Sequence, residues 1–253
     1  MFEKFMHLFG NELLNTHDYS IFSFITFGTG CYLWAIVYLI VIKDIFKKKR
    51  ADSPVGAIAA CYAWEFWWGL GFRKTDMGSI LQLSYFIWFF LDCLIVYSAF
   101  RYGWKQSITD LGRKYHVQSL IAIMITWFVI FYFFIVQMKQ DDRIGAYSGW
   151  IVNVYMSIMY CVQKIKQPTF GTNRWVAVLK FLATGLCTGV VFDTPYLFAN
   201  HTLVALCFIF AAFDIIYIYL VFTGPKASDV NHQTDLAPMV KLAAPRIKAS
   251  VAS

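Results

Sequence analysis

Charge is scarce in this chain. Asp, Glu, Lys and Arg make up 15% of its 253 residues, against about 25% in ordinary soluble domains, too little to keep a globule of this size wetted. Proline is scarce as well, six in all. None falls in the apolar stretches between Val55 and Val162, which argues against the broken mid-membrane helices of ion-coupled transporters. The six cysteines, Cys31, Cys61, Cys93, Cys161, Cys187 and Cys207, form no CxxC pair and have no nearby histidine partner. They read as small hydrophobes inside apolar runs, and a zinc site is excluded as an organising element. The chain also lacks a glycine-rich phosphate loop and an Asp-Asp-x-x-Asp box that would hold magnesium on a diphosphate. Asp141-Asp142 is the adjacent acidic pair; it reads as a solvated, exposed connection, not a metal site. No metal and no cofactor is expected.

Apolar and aromatic residues take the place of charge, at 59% and 19% of the chain. A spanning helix needs about 20 mostly apolar residues, and seven such segments can be placed: Ile21 to Ile42, Val55 to Phe72, Gly78 to Phe100, Val117 to Met138, Ile144 to Val162, Trp175 to Phe192 and Thr202 to Phe222. The expected fold is all-α, a seven-transmembrane helix bundle. Ser53-Pro54 reads as a cap followed by proline at the first helical position of segment two. Residues 1–18 read as an N-terminal lead-in able to lie on a membrane surface, residues 19–222 as the membrane domain, and residues 223–253, rich in Pro, Ala, Ser and Lys, as a cytoplasmic tail without a core.

Basic residues set the orientation. Of the 22 Lys and Arg, Lys4, Arg73, Lys74, Lys139 and Arg143 fall on the side of the N-terminus, and Lys180 lies inside segment six. The rest fall in the connections after segments one, three and five and in the tail. That imbalance puts the C-terminus in the cytoplasm and the N-terminus outside or in a lumen. Basic loops beside an anionic leaflet account for the net charge of +7, so no nucleic-acid partner is implied and membrane lipid is the expected surrounding.

Acids inside such segments are costly, at least about 2.5 to 3.5 kcal/mol each on insertion scales, and intramembrane ionisable groups mark function by default. Glu65 lies about 16 Å from the cytoplasmic end of segment two, and Asp214 about 12 Å from that of segment seven. Asp92 on segment three and Asn153 on segment five fall at similar depth, which predicts one polar layer inside the bundle. Residues three or four apart share a helix face, so Tyr62, Trp68 and Phe72 accompany Glu65, Tyr85, Trp88 and Phe89 accompany Asp92, and Phe210 and Tyr217 accompany Asp214. A carboxyl framed by rings loses hydration and favours its neutral, proton-donating form. The same rings stabilise a cation by roughly 2 kcal/mol or more each when water is excluded.

A buried acid beside cation-stabilising rings suits carbocation chemistry, in which a proton added to an epoxide or alkene starts a charge down a polyene. The seven-segment plan, the length, Ala63-Trp64-Glu65 in segment two and the Phe210-x-x-x-Asp214-x-x-Tyr217 pattern in segment seven resemble the integral-membrane terpene cyclases of fungal meroterpenoid and indole-diterpene pathways and their bacterial relatives. The resemblance spans roughly residues 19–222. It implies a metal-independent, proton-initiated cyclisation of a farnesyl or geranylgeranyl chain carried on an aromatic, polyketide or indole head group. It also implies that Glu65 and Asp214 serve protonation, in the endoplasmic reticulum of a eukaryote or the inner membrane of a bacterium.

Plainer readings stand beside this one. Glu65 can pair with Lys180 or bond to Asn153 as a strut, Asp92 can be a helix-to-helix hydrogen bond, and Lys180 can reach the interface or neutralise an acid. The rival from another class is a seven-helix proton- or cation-coupled transporter.

Overall fold

The computed structural model describes residues 13–170 and 173–224. Every regular element among them is helical. The helices are α1 (Ile21–Lys48), α2 (Val55–Gly69), α3 (Ser79–Tyr102), α4 (Asp110–Lys114), α5 (His116–Phe131), α6 (Ala146–Lys166), α7 (Arg174–Cys187), α8 (Gly189–Asp193), α9 (Pro195–Phe198) and α10 (His201–Thr223). A 3-10 turn, Gly103–Gln106, extends α3, and a π-helical turn, Tyr132–Gln137, extends α5. The ends follow local chemistry. Ser20 accepts from the Ser23 amide to cap α1, and Asn200 accepts from Leu203 to cap α10, both at 3.1 Å, which satisfies amides that have no partner within the helix.

Among the described residues, five helical stretches are long and apolar enough to cross a bilayer: Ile21–Lys48, Ser79–Gln106, His116–Gln137, Arg174–Asp193 and His201–Thr223. The other two predicted segments fall short of that mark. Helix α2 has 15 residues, about 22 Å at helical rise, and α6 carries Ser148, Asn153, Ser157 and Gln163 among its buried and partly buried positions. Pro54 is itself the cap of α2, not its first helical residue, and Ser53 is drawn off to accept from Tyr160 Oη at 2.8 Å. The predicted lead-in lies largely outside the described residues, as does the tail beyond Gly224. At the lead-in's inner end, the Asn15 amide donates to Met77 O.

The packing order makes a ring. Helix α1 lies against α7 and α3, α3 against α2, α2 against α6, α6 against α10, and α10 back against α7, while α5 leans on α2 from outside. Close approach of α1 and α7 depends on Gly30, where a Cβ would stand 2.5 Å from Cys187 Sγ and 2.7 Å from Ala183 O; small residues bring membrane helices together in this way. Ile25, Leu39, Ile125, Phe208 and Ile215 stand exposed on outward faces, an apolar coat that lipid satisfies and water would not.

Candidate active site

Inside the ring lies a cavity of about 610 Å³, the open space at its mouth included. Along α1 it runs from Phe27 past Trp34 to Tyr38, eleven residues or about 16 Å. Trp64, Tyr85, Trp88, Trp150 and Met156 supply much of the remaining wall. Its polar wall groups include Tyr38, Glu65, Asn153 and Thr184, while the Tyr85 hydroxyl is taken up by Ile144 O. Gly145 at one end has φ +73°, and a Cβ there would meet Trp68 Cε2 at 2.6 Å, so the turn into α6 requires glycine.

Glu65 is the acid that reaches the cavity. It is 3% exposed, and Tyr38 Oη donates to its Oε1 at 2.6 Å. Behind it, Asp92 on α3 is within side-chain hydrogen-bonding reach of Glu65. Glu65 Oε2 and Asp92 Oδ2 are both buried with no N–H or hydroxyl donor. An ionised carboxylate only accepts, so a bond between two carboxyls forms when one of them carries a proton.

Asp214 belongs to a second, separate pair. Its Oδ1 accepts from Lys180 Nζ at 2.5 Å, and Lys180 also donates to Ser157 Oγ at 2.8 Å. The ammonium lies 5.8 Å from the Tyr160 ring centroid, which in turn packs against Tyr217 at 4.9 Å. Asp214 is outside the cavity lining. Lys180 therefore neutralises Asp214, not Glu65. Glu65 with Asp92 and Asp214 with Lys180 are thus two separate acid centres.

The ring residues divide in the same way. Tyr85 and Trp88 line the cavity with Asn153, whose Oδ1 accepts from Thr184 at 3.5 Å. Tyr62, Phe89, Trp68, Phe72, Phe210 and Tyr217 do not line it. Tyr62 sits about 60° around the helix from Glu65, on the side where it stacks on Phe89 at 5.2 Å. Phe72 lies beyond the end of α2 and is 58% exposed. Phe210 and Tyr217 are buried on α10, whose Asp214 meets Lys180 of α7. Phe27, Trp34, Tyr38, Trp64 and Trp150 are cavity residues outside the sequence expectation. A signal was present, because Phe27, Trp34 and Tyr38 follow helical spacing along one face of α1.

Asp141 is a correction. The expected solvated residue is 6% exposed and accepts from Trp68 Nε1 at 3.2 Å, from the Ser148 amide at 3.1 Å and from Ser148 Oγ. Asp142 accepts from the Ile144, Ala146 and Tyr147 amides, so the acidic pair caps the start of α6. Burial, and next the charge of Asp142, push the Asp141 carboxyl up to about 7 against the pull of those bonds. Among the described residues no cluster of His, Cys, Asp and Glu could hold a metal ion.

Sequence comparison identifies relatives among fungal terpene cyclases. The Pyr4-family terpene cyclase mfmH of Annulohypoxylon moriforme is 23% identical over 146 residues, which are 56% of this chain and 58% of mfmH; the aligned part is less than two thirds of that relative. Terpene cyclase ascF of Acremonium egyptiacum is 24% identical over 193 residues, 70% of this chain and 68% of ascF. Terpene cyclase spyD of Aspergillus fumigatus is 19% identical over 149 residues, 58% of this chain and 62% of spyD. No solved structure matches. The family profile of the Pyr4-like transmembrane terpene cyclases covers residues 16–226, and the chain, an integral membrane protein, belongs to that family.

Proposed function

We propose that this protein is a terpene cyclase in which Glu65 protonates the terminal epoxide or alkene of a prenyl chain carried on an aromatic, polyketide or indole head group. One observation carries the assignment: of the three intramembrane acids, Glu65 lines the cavity, and the group that bonds to it there is the Tyr38 hydroxyl, not a cation, with Asp92 within reach behind it. Two carboxyls sharing one proton keep a neutral acid available in a water-poor site.

The Glu65 O–H bond breaks and its electrons remain on the carboxylate. The proton goes to the epoxide oxygen, whose C–O bond opens, or to the terminal alkene carbon, and the positive charge passes along the polyene as each ring closes. Trp34, Trp64, Tyr85, Trp88 and Trp150 hold the chain folded, offer their faces to the cation and exclude water. Loss of a proton from the last cation to a water ends the sequence, since Asp92 lies outside the cavity lining. Metal and cofactor have no part in this scheme. Asp214, held by Lys180 behind the wall, keeps α6, α7 and α10 in register and does not donate.

Seven crossings, with the N-terminus outside and the C-terminus in the cytoplasm, fit this site. Helices α2 and α6 stand between neighbours in the ring, so much of their surface meets protein and their short or polar character is tolerated. The domain then spans residues 19–222, with the tail from 223 on the cytoplasmic side.

Membranes bearing the protein are incubated with farnesylated and geranylgeranylated phenols and their terminal epoxides, with chromatography and mass spectrometry as readout. Cyclisation yields a product of unchanged mass and altered retention. Glu65→Gln keeps the volume and removes the acid, so product formation should cease while the variant still inserts and elutes as wild type. Full turnover by Glu65→Gln would refute the assignment.

A further inference from the structure

Tyr38 is the polar residue at the end of the α1 wall, and the stretch from Ile21 to Ile42 holds no Asp, Glu, Lys, Arg or His. Its ring packs 5.9 Å from that of Trp34, both border the cavity, and its hydroxyl donates to Glu65 Oε1 at 2.6 Å. A neutral carboxyl has one carbonyl-type oxygen, which accepts well, and one hydroxyl oxygen, which carries the proton. A phenol that donates to Oε1 selects that oxygen as the carbonyl. The proton is then left on Oε2, the oxygen with no N–H or hydroxyl donor.

We infer that Tyr38 is a positioning residue for Glu65: its hydrogen bond at Oε1 confines the acidic proton to Oε2 and stabilises the carboxylate left after the proton has gone to substrate. The inference rests on the reading of Glu65 as proton donor and adds to it which oxygen acts and what holds it there. The same bond fixes the carboxyl plane, because a rotation that exchanged the two oxygens would break it. A charge-assisted bond is roughly twice as strong as a neutral one, so the interaction strengthens as Glu65 ionises and favours the transition state over the ground state.

Infrared spectroscopy of the purified full chain in detergent tests the inference. The C=O band of the protonated carboxyl is assigned to Glu65 by its loss in Glu65→Gln. Tyr38→Phe removes the hydroxyl alone. It should move that band to higher frequency and lower kcat by about ten- to a hundredfold, the worth of a hydrogen bond to a charged group. KM for the farnesylated phenol or epoxide that the wild type cyclises should not change. A band that stays in place, or an unchanged kcat, overturns the inference while leaving Glu65 as donor. Absence of any Glu65 carboxyl band in the wild type overturns the donor reading with it. Should Tyr38→Phe fail to fold, fluorotyrosine at the same position decides. A more acidic phenol should shift the band to lower frequency, and an unmoved band counts against Tyr38.

Discussion

Lys180 and Asp214 form an ion pair 2.5 Å long between α7 and α10, with side chains 2% and 1% exposed. Losing one partner of such a pair leaves an uncompensated buried charge and costs about 3 to 5 kcal/mol, whereas replacing both by apolar groups of like volume is often neutral. Lys180→Met and Asp214→Asn alone should each lower the melting temperature in detergent and reduce turnover. Lys180→Met combined with Asp214→Leu should recover much of both. A double variant that melts like the wild type but makes no product would return Asp214 to the list of proton donors.

Asp92 is within hydrogen-bonding reach of Glu65 and lies outside the cavity lining. Asp92→Asn keeps a group able to donate to Glu65 but cannot hold a shared proton. Turnover should fall by about a hundredfold, at the low end of general acid contributions, without vanishing. Side-by-side rates for Asp92→Asn and Glu65→Gln check the ranking. Complete loss in the first with activity in the second would exchange their roles.

Much of this was legible in the sequence. Segment length and apolar content located the helices, and the cost of a carboxylate in lipid singled out Glu65, Asp92 and Asp214. What the sequence did not reveal was pairing. Which acid meets Lys180 depends on rotation about each helix axis, and a run apolar on all sides, such as α10, gives no directional signal. The same ambiguity assigned Tyr62 and Phe210 to the cavity and passed over Trp34 and Tyr38, because the stretch from Ile21 to Ile42 carries no acid to draw notice. Asp141 was misread because its loop is polar in composition, while its burial comes from contacts with Trp68, far along the chain, and with Ser148 in the first turn of α6.

The Asp141 carboxyl offers a test outside the membrane-spanning segments. Burial raises it to about 7 from 3.8, so between those values the folded state binds more protons than the unfolded chain. Stability contributed by this group is present at low pH and is lost as pH rises from about 4 to 7. Asp76, raised in the same direction by burial, adds to the slope. Melting temperature in detergent should therefore decline across that window. Asp141→Asn should flatten the decline, although it also lowers stability throughout, since an amide cannot accept from Trp68 and both Ser148 donors with one oxygen. An unaltered slope in the variant would remove Asp141 from the account.

Trp34 and Trp88 bear on what the cavity does once the cation exists. Both border it, from α1 and α3, and neither bonds to Glu65, so trimming them leaves the proton donor intact. Each aromatic face withdrawn forfeits roughly 2 kcal/mol of cation stabilisation in a dry site, and the space left by Trp→Ala is wide and polar enough at Glu65 to admit water. Trp34→Ala and Trp88→Ala should thus still consume substrate. They should release products with fewer rings, or products heavier by one water, formed where the cation is captured early. Mass spectrometry separates the outcomes, because the wild-type product is an isomer of its substrate and the captured one is not. An unchanged single product from both variants would mean that the chain folds elsewhere than against these two rings.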